Sequence, residues 1–155
     1  MKKISFLLAA LIHIAASAYT ITGKVVEVLD GDTIKVQTNQ QIAKIRLAYI
    51  DAPELDQKFG TISRNSLSML TRNKQVVADC KEKDMYGRDL CVVVVEDIVT
   101  NDAQLARGLA WAYTQYLPKN SHYPIIEAKA KKEGRGLWSD AKPVAPWDFR
   151  RTNKK

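Results

Sequence analysis

Three strand patterns in series, a helical pattern, two more strand patterns and two closing helical patterns predict a mainly β, α+β domain: a five-stranded OB-fold barrel with three helices. Two further observations agree with one such domain. The length of 155 residues suits a single core. No repeat, low-complexity tract or internal linker divides the chain.

The elements follow in order. "ITGKVVEVLDGDTIKVQTNQQIAKIRLAYID" reads as the first three strands. Asp30-Gly31 is a hairpin-turn signal between Val28 and Ile34, and the polar "TNQQ" separates the second strand from the third. "GTISRNSLSMLTRN" at 60–73 is helical, with Ile62, Leu67 and Leu70 on one side. "QVVADC" and "LCVVVVE" are the fourth and fifth strands, joined by the polar "KEKDMYGR". "TNDAQLARGLAWAY" is the second helix, with Thr100 or Asn101 as its N-cap. "YPIIEAKAKKEGRG" is the third, with Pro124 in its first turn and Gly134 or Gly136 near its end.

The two ends read differently. Lys2, Lys3, the apolar "ISFLLAALIHIAA" and the small residues "ASA" at 16–18 form a signal-peptide pattern, with cleavage expected after Ala18. The apolar run is short for a span of about 20 residues, so no stable membrane association is expected afterwards. The expected organisation is therefore a signal segment at 1–18, the barrel domain at 19–141 and a loosely packed basic tail at 142–155. A secreted or periplasmic monomer is the expectation.

Cleavage removes Lys2 and Lys3 and no acid, so the whole-chain charge of +7 becomes +5. A basic surface favours anionic partners such as nucleic acid or lipid head groups. Cys80 ends one strand and Cys91 begins the next. In an oxidising compartment they suit a disulfide across the hairpin, the alternative being two buried thiols.

Several chemistries are excluded. His122 is the one histidine left after cleavage, so histidine-rich metal and double-histidine nuclease sites are ruled out. A Ser-His-Asp triad would need His122 and has no supporting motif, and no glycine-rich phosphate loop is present. "DGDTIKVQTNQQ" fails as an EF-hand loop, because Lys35 stands where glycine is needed and Gln41 where glutamate is needed.

Acids and arginines remain. Asp30, Asp32, Asp51 and Glu54 lie at the ends of the second and third strands, Arg46 lies within the third, and Arg88 follows Gly87. Two carboxylates brought close repel, so such a pair holds a cation or a proton. Oxygen ligands alone select a hard ion, Ca²⁺ or Mg²⁺. The alternative is ordinary turn chemistry at Asp30, Asp32 and Asp51. One geometric difficulty stands out: Arg46 and Asp51 are five residues apart, and strict alternation puts them on opposite faces. They converge only if the strand bulges or bends.

"VLDGDTIKV", "IRLAYIDAPE", "DMYGRDL", "NDAQLARGLAWAY" and "EAKAKKEGRGLW", in that order, resemble the staphylococcal (micrococcal) nuclease family from about Ile21 to Asp140. The resemblance implies an OB-fold barrel with three helices and a Ca²⁺-dependent phosphodiesterase acting on DNA and RNA, with Mg²⁺ the less favoured ion. It implies 3′-phosphate and 5′-hydroxyl products. It casts Asp32, Asp51 and the backbone carbonyl of Ala52 as metal ligands, and Glu54 as the group acting on the attacking water. Arg46 and Arg88 become the arginines on the phosphate, and Tyr86, Tyr113 and Tyr116 substrate contacts. The chain departs from staphylococcal nuclease at Ala52 (threonine there) and Met85 (lysine there), and "LDQKFGTISRNS" is shorter than the corresponding loop. The competing function is a non-catalytic OB module binding single strands through a basic groove and aromatics. The presence of all five charged residues favours the enzyme.

Overall fold

The computed structural model describes residues 18–153, so the signal segment lies outside the described residues except for Ala18. Strand β1 (Tyr19–Val28) is long because it serves two neighbours. Its first half pairs antiparallel with β5 (Gln75–Lys83), and its second half with β2 (Thr33–Gln37). A register shift between Val25 and Glu27 bends β1 where the partner changes. β2 pairs with β3 (Ile42–Leu47), β5 with β6 (Asp89–Val95), and parallel pairing of β3 with β6 closes the five-stranded barrel.

Alternation fills the barrel. Val25, Ile34, Val36, Ile45, Leu47, Val93 and Val95 point inward and are fully or almost fully buried. Helix α1 (Gly60–Thr71) follows the third strand and contributes Leu67. Cys80 and Cys91 are direct cross-strand partners and form a disulfide inside this core.

Two expected elements are corrected. "IRLAYID" is not one strand: it ends at Leu47, turns through Ala48 and Tyr49, and resumes as β4 (Ile50–Asp51) in a separate two-stranded sheet. The second helix, α2 (Thr100–Ala106), stops at Gly108, whose φ of 66° and contact with the Arg135 backbone exclude a side chain. The rest of "LAWAY" becomes β8 (Trp111–Ala112), the partner of β4, followed by a short 3-10 turn at Thr114–Tyr116. Thr100 and Asn101 do not cap α2 either; Val99, the end of β7 (Ile98–Val99), holds that position.

Helix α3 (Tyr123–Lys132) starts with Pro124 in its first turn. The third correction concerns the tail. Pro146–Thr152 forms a fourth helix, α4, with Pro146 in its first turn, Asp148 near its N-terminus and Arg150 and Arg151 in its last turn. Among the described residues, no helix is long and apolar enough to cross a membrane.

Candidate active site

The site begins with the bend after β3. Tyr49 takes a φ of 68°, a left-handed conformation costing of order 1 kcal/mol or more for a residue with a side chain. Its surroundings enforce it. The Tyr49 carbonyl accepts the Tyr113 amide, and the Ala48 amide donates to the Cys91 carbonyl. Asn101, fully buried on α2, donates from Nδ2 to the Ala48 carbonyl and accepts the Val93 amide at Oδ1. The two residues in the turn break the alternation, so Arg46 and Asp51 end on the same side.

The result is a shared cluster. Arg46 Nη2 lies 2.7 Å from Asp51 Oδ1 and 3.4 Å from Asp32 Oδ2. Its Nη1 donates to the Ile50 carbonyl at 3.0 Å, which holds the guanidinium against the bend. Asp32 reaches the cluster from the β1–β2 turn, with Oδ2 accepting the Ala52 amide at 2.8 Å. That turn is tied down from two sides: Asp30 Oδ1 accepts the Asp32 amide, and buried Gln104 donates to the Gly31 carbonyl. A Cβ on Gly31 would fall 1.9 Å from Ser63 Oγ, so glycine lets the turn approach α1.

Asp51 is 1% and Asp32 5% exposed. Burial is the main force lifting the Asp51 carboxyl above the usual range, opposed by the hydrogen bonds from Arg150, while the charge of Asp32 adds to the rise. Burial, then the charge of Asp32, pushes Asp30 up to about 6. Burial disfavours the Arg46 cation, but Asp32 and then Asp51 outweigh it and hold its proton more tightly than usual.

Glu54 sits at the rim, beyond Pro53, and reaches the cluster through an arginine that sequence reasoning missed. Arg150 of α4 places Nη2 2.7 Å from Asp51 Oδ2 and Nη1 2.7 Å from Glu54 Oε1. Three carboxylates thus face two guanidiniums. The missed signal was "PWDFRR": a proline, an early acid and late arginines are a helix pattern hidden in a stretch read as tail.

The cluster fits a hard cation by the chemistry of its donors. Two buried carboxylates, Asp32 and Asp51, converge on the Arg46 guanidinium, and a second guanidinium stands as a positive charge against Asp51 and Glu54. Among the described residues, no three of His, Cys, Asp and Glu form a metal cluster, and Glu54 is paired with Arg150. A third ligand would have to come from the backbone or solvent.

Arg88 is not drawn into this cluster. Its Nε pairs with Asp84 at 2.7 Å within its own turn, and its guanidinium lies 5.5 Å from the Tyr86 ring centroid. Tyr86 is exposed on that turn. Tyr113 and Tyr116 lie together, with ring centroids 5.1 Å apart, and Tyr113 stacks on Trp147 of α4 at 5.5 Å. His122 pairs with Asp102 on the outside of α2.

Comparison with known proteins points one way. The family described as "Staphylococcal nuclease homologue" matches residues 44–140, a stretch holding Arg46, Asp51, Glu54 and Arg88. The chain is 39% identical to a protein named micrococcal nuclease from Shigella flexneri, over 95% of both chains. It is 41% identical to a protein named uncharacterized endonuclease from Escherichia coli O157:H7, over 84% of this chain and 85% of that one. It is also 41% identical to a protein of the same name from Haemophilus influenzae, over 97% of this chain and 84% of that one. With the family model and these relatives agreeing, the chain belongs to the staphylococcal nuclease family.

Proposed function

We propose that this member of a nuclease family is an exported, Ca²⁺-dependent phosphodiesterase that cleaves DNA and RNA and leaves 3′-phosphate and 5′-hydroxyl ends. Mg²⁺ is the less favoured ion, and the working form is a monomer released after cleavage behind Ala18. The observation that carries the reading is the convergence of Asp32, Arg46 and Asp51 in one buried cluster with Glu54 at its rim.

Asp32, Asp51 and the Ala52 carbonyl would hold the ion. Once bound, the ion supplies positive charge to a phosphate oxygen and makes a nearby water more acidic. The protein's own groups do the rest. Arg46 is fixed by three acceptors, so its remaining N–H groups can meet phosphate oxygens without a reorganisation cost. Arg88 provides a second fork for the same phosphate once its N–H groups turn from Asp84. Glu54 takes a proton from the attacking water, or orients it, as the water oxygen bonds to phosphorus; the P–O5′ bond breaks and the 5′ oxygen leaves as a hydroxyl with a proton drawn from solvent. Tyr86, Tyr113 and Tyr116 offer faces for bases flanking that bond.

The test is direct. Purified protein starting at Tyr19 is incubated with plasmid DNA and with RNA, in Ca²⁺, in Mg²⁺ and in chelator. Cleavage of both substrates in Ca²⁺, lost in chelator, is the expected result. Chelator-resistant cleavage, or binding without cleavage in either ion, would sink it.

A further inference from the structure

The sequence reading assigned α4 no role, yet this helix reaches the most buried carboxylate of the site. It is attached by its buried start at Ala145 and Pro146 and by a few side-chain contacts. Trp147 rests on Tyr113 and Trp111, with centroids 5.5 and 5.7 Å away. Gln57 Nε2 donates to the Val144 carbonyl just before the helix. An open cleft of about 190 Å³, lined by Pro53, Gln57, Phe59, Val144 and by Phe149 of α4, borders the helix. From that seat Arg150 projects onto Asp51 and Glu54.

The occupancy of the oxygens is decisive. Asp51 Oδ1 accepts Arg46 at 2.7 Å and Arg150 Nη1 at 3.2 Å, while Oδ2 accepts Arg150 Nη2 at 2.7 Å. Glu54 Oε1 accepts Arg150 Nη1 at 2.7 Å. Calcium needs carboxylate oxygens at roughly 2.3–2.6 Å, and a second cation on the same oxygens would repel it. The same guanidinium occupies Glu54, so one side chain covers both acids. Arg46 takes Oδ1 and leaves Oδ2 free, so it is Arg150 that an ion would have to displace from Asp51 Oδ2.

We propose that Arg150 is a tethered cation that competes with the divalent ion for Asp51 and Glu54, so that α4 acts as a latch over the site, released as the ion binds. This inference rests on the metal-dependent reading above. The latch keeps the buried acids compensated and ties exposure of Glu54 to arrival of the ion.

The experiment measures Ca²⁺ affinity by titration calorimetry, at fixed salt, on the chain from Tyr19 to Lys155. Arg150→Gln and Arg150→Ala should each bind Ca²⁺ roughly tenfold more tightly than wild type, since the competitor is gone. Without Ca²⁺ both should melt at lower temperature than wild type, and Ca²⁺ should raise their melting temperature by more. Arg151→Gln is the control: Arg151 pairs with Asp148 on the outer side of the same helix, and its loss removes the same charge. Its affinity should stay within about twofold of wild type, because exposed pairs count for little. Equal or weaker Ca²⁺ binding in the Arg150 variants overturns the latch, as does an equal gain in Arg151→Gln. If those results accompany Ca²⁺-dependent cleavage, the latch alone falls. If no protein binds Ca²⁺ or Mg²⁺ and none cleaves, the metal-dependent reading falls and the latch with it.

Discussion

Arg46 reaches Asp51 across a bend rather than along a strand: five residues apart, the two meet at 2.7 Å because Tyr49 between them turns left-handed at φ 68°. The relationship converts a hydrophobic strand into a site. Ile45 and Leu47 lock the segment into the barrel, and the bend brings the carboxylate after it back to the arginine within it. A rigid support of this kind keeps functional groups close to their working geometry.

Glu54 is the first group to test. As a base or water-orienting group, its change to Gln should lower turnover by roughly 10²-fold or more. Affinity for nucleic acid in chelator should hold. Single-turnover cleavage of a labelled oligonucleotide reads the first quantity and a filter-binding titration the second. Near-normal turnover of Glu54→Gln would remove this residue from the mechanism.

Much of this was legible in the sequence because it rests on local pattern. The five barrel strands and α1 follow from alternation, turn residues and helical spacing, all of which act over a few residues. The bend at Tyr49 was not legible, since nothing local favours a left-handed tyrosine; buried Asn101, 52 positions away, holds it. The early end of α2 was signalled by Gly108, but the continuing apolar run "LAWAY" hid the switch to a strand. Arg150 was invisible for a related reason: its partners lie 99 and 96 positions away, and a basic stretch alone does not say which acid it meets.

The disulfide gives a stability test. Cys80 and Cys91 are cross-strand partners separated by 11 positions, so the bond closes a short loop. Constraint of so short a loop stabilises by at most about 3 kcal/mol. Replacing both cysteines by alanine should lower the urea midpoint within that bound. Thiol titration of the unfolded, unreduced protein should find none free. Two free thiols would refute the bond, and an unchanged midpoint would refute its contribution.

The Asp84–Arg88 turn predicts a pH dependence. Burial works against the Asp84 carboxylate, but hydrogen bonds from the Arg88 amide and side chain and from the Tyr86 amide outweigh it and hold its pKa below the usual range. A carboxyl depressed in the folded state adds stability above its unfolded pKa, and loses it as pH falls through the folded value. At pH 7, Asp84→Asn should therefore be less stable than wild type by about 1 kcal/mol. The gap should shrink steadily as pH drops below about 4. Urea melts of both proteins at several pH values read the difference directly, and a gap that stays constant down to pH 2–3 would refute the assignment.

Asp51 separates the enzyme from a mere binding module. Asp51→Asn keeps the shape of the side chain and removes one charge from a residue that is 1% exposed. In the enzyme, the ion loses an ionised oxygen ligand, and a hard cation gains most from such ligands. Cleavage should fall to a small fraction of the wild-type rate, because charge stabilisation and water activation both depend on that ion. Binding in chelator should move the other way or not at all. Phosphate contacts and counterion release govern it, the basic surface is intact, and Arg150 is freed from one of its two acids. In a binding module Asp51 serves only to pair with Arg46 and Arg150, so asparagine there costs stability and no chemistry. Below its melting temperature that variant would then bind the oligonucleotide as wild type does, with or without Ca²⁺. The measurement is a pair on one oligonucleotide at fixed salt: cleavage in Ca²⁺ and binding in chelator. Lost cleavage with retained binding is the expected outcome. Normal cleavage by Asp51→Asn would detach the buried carboxylate from the chemistry.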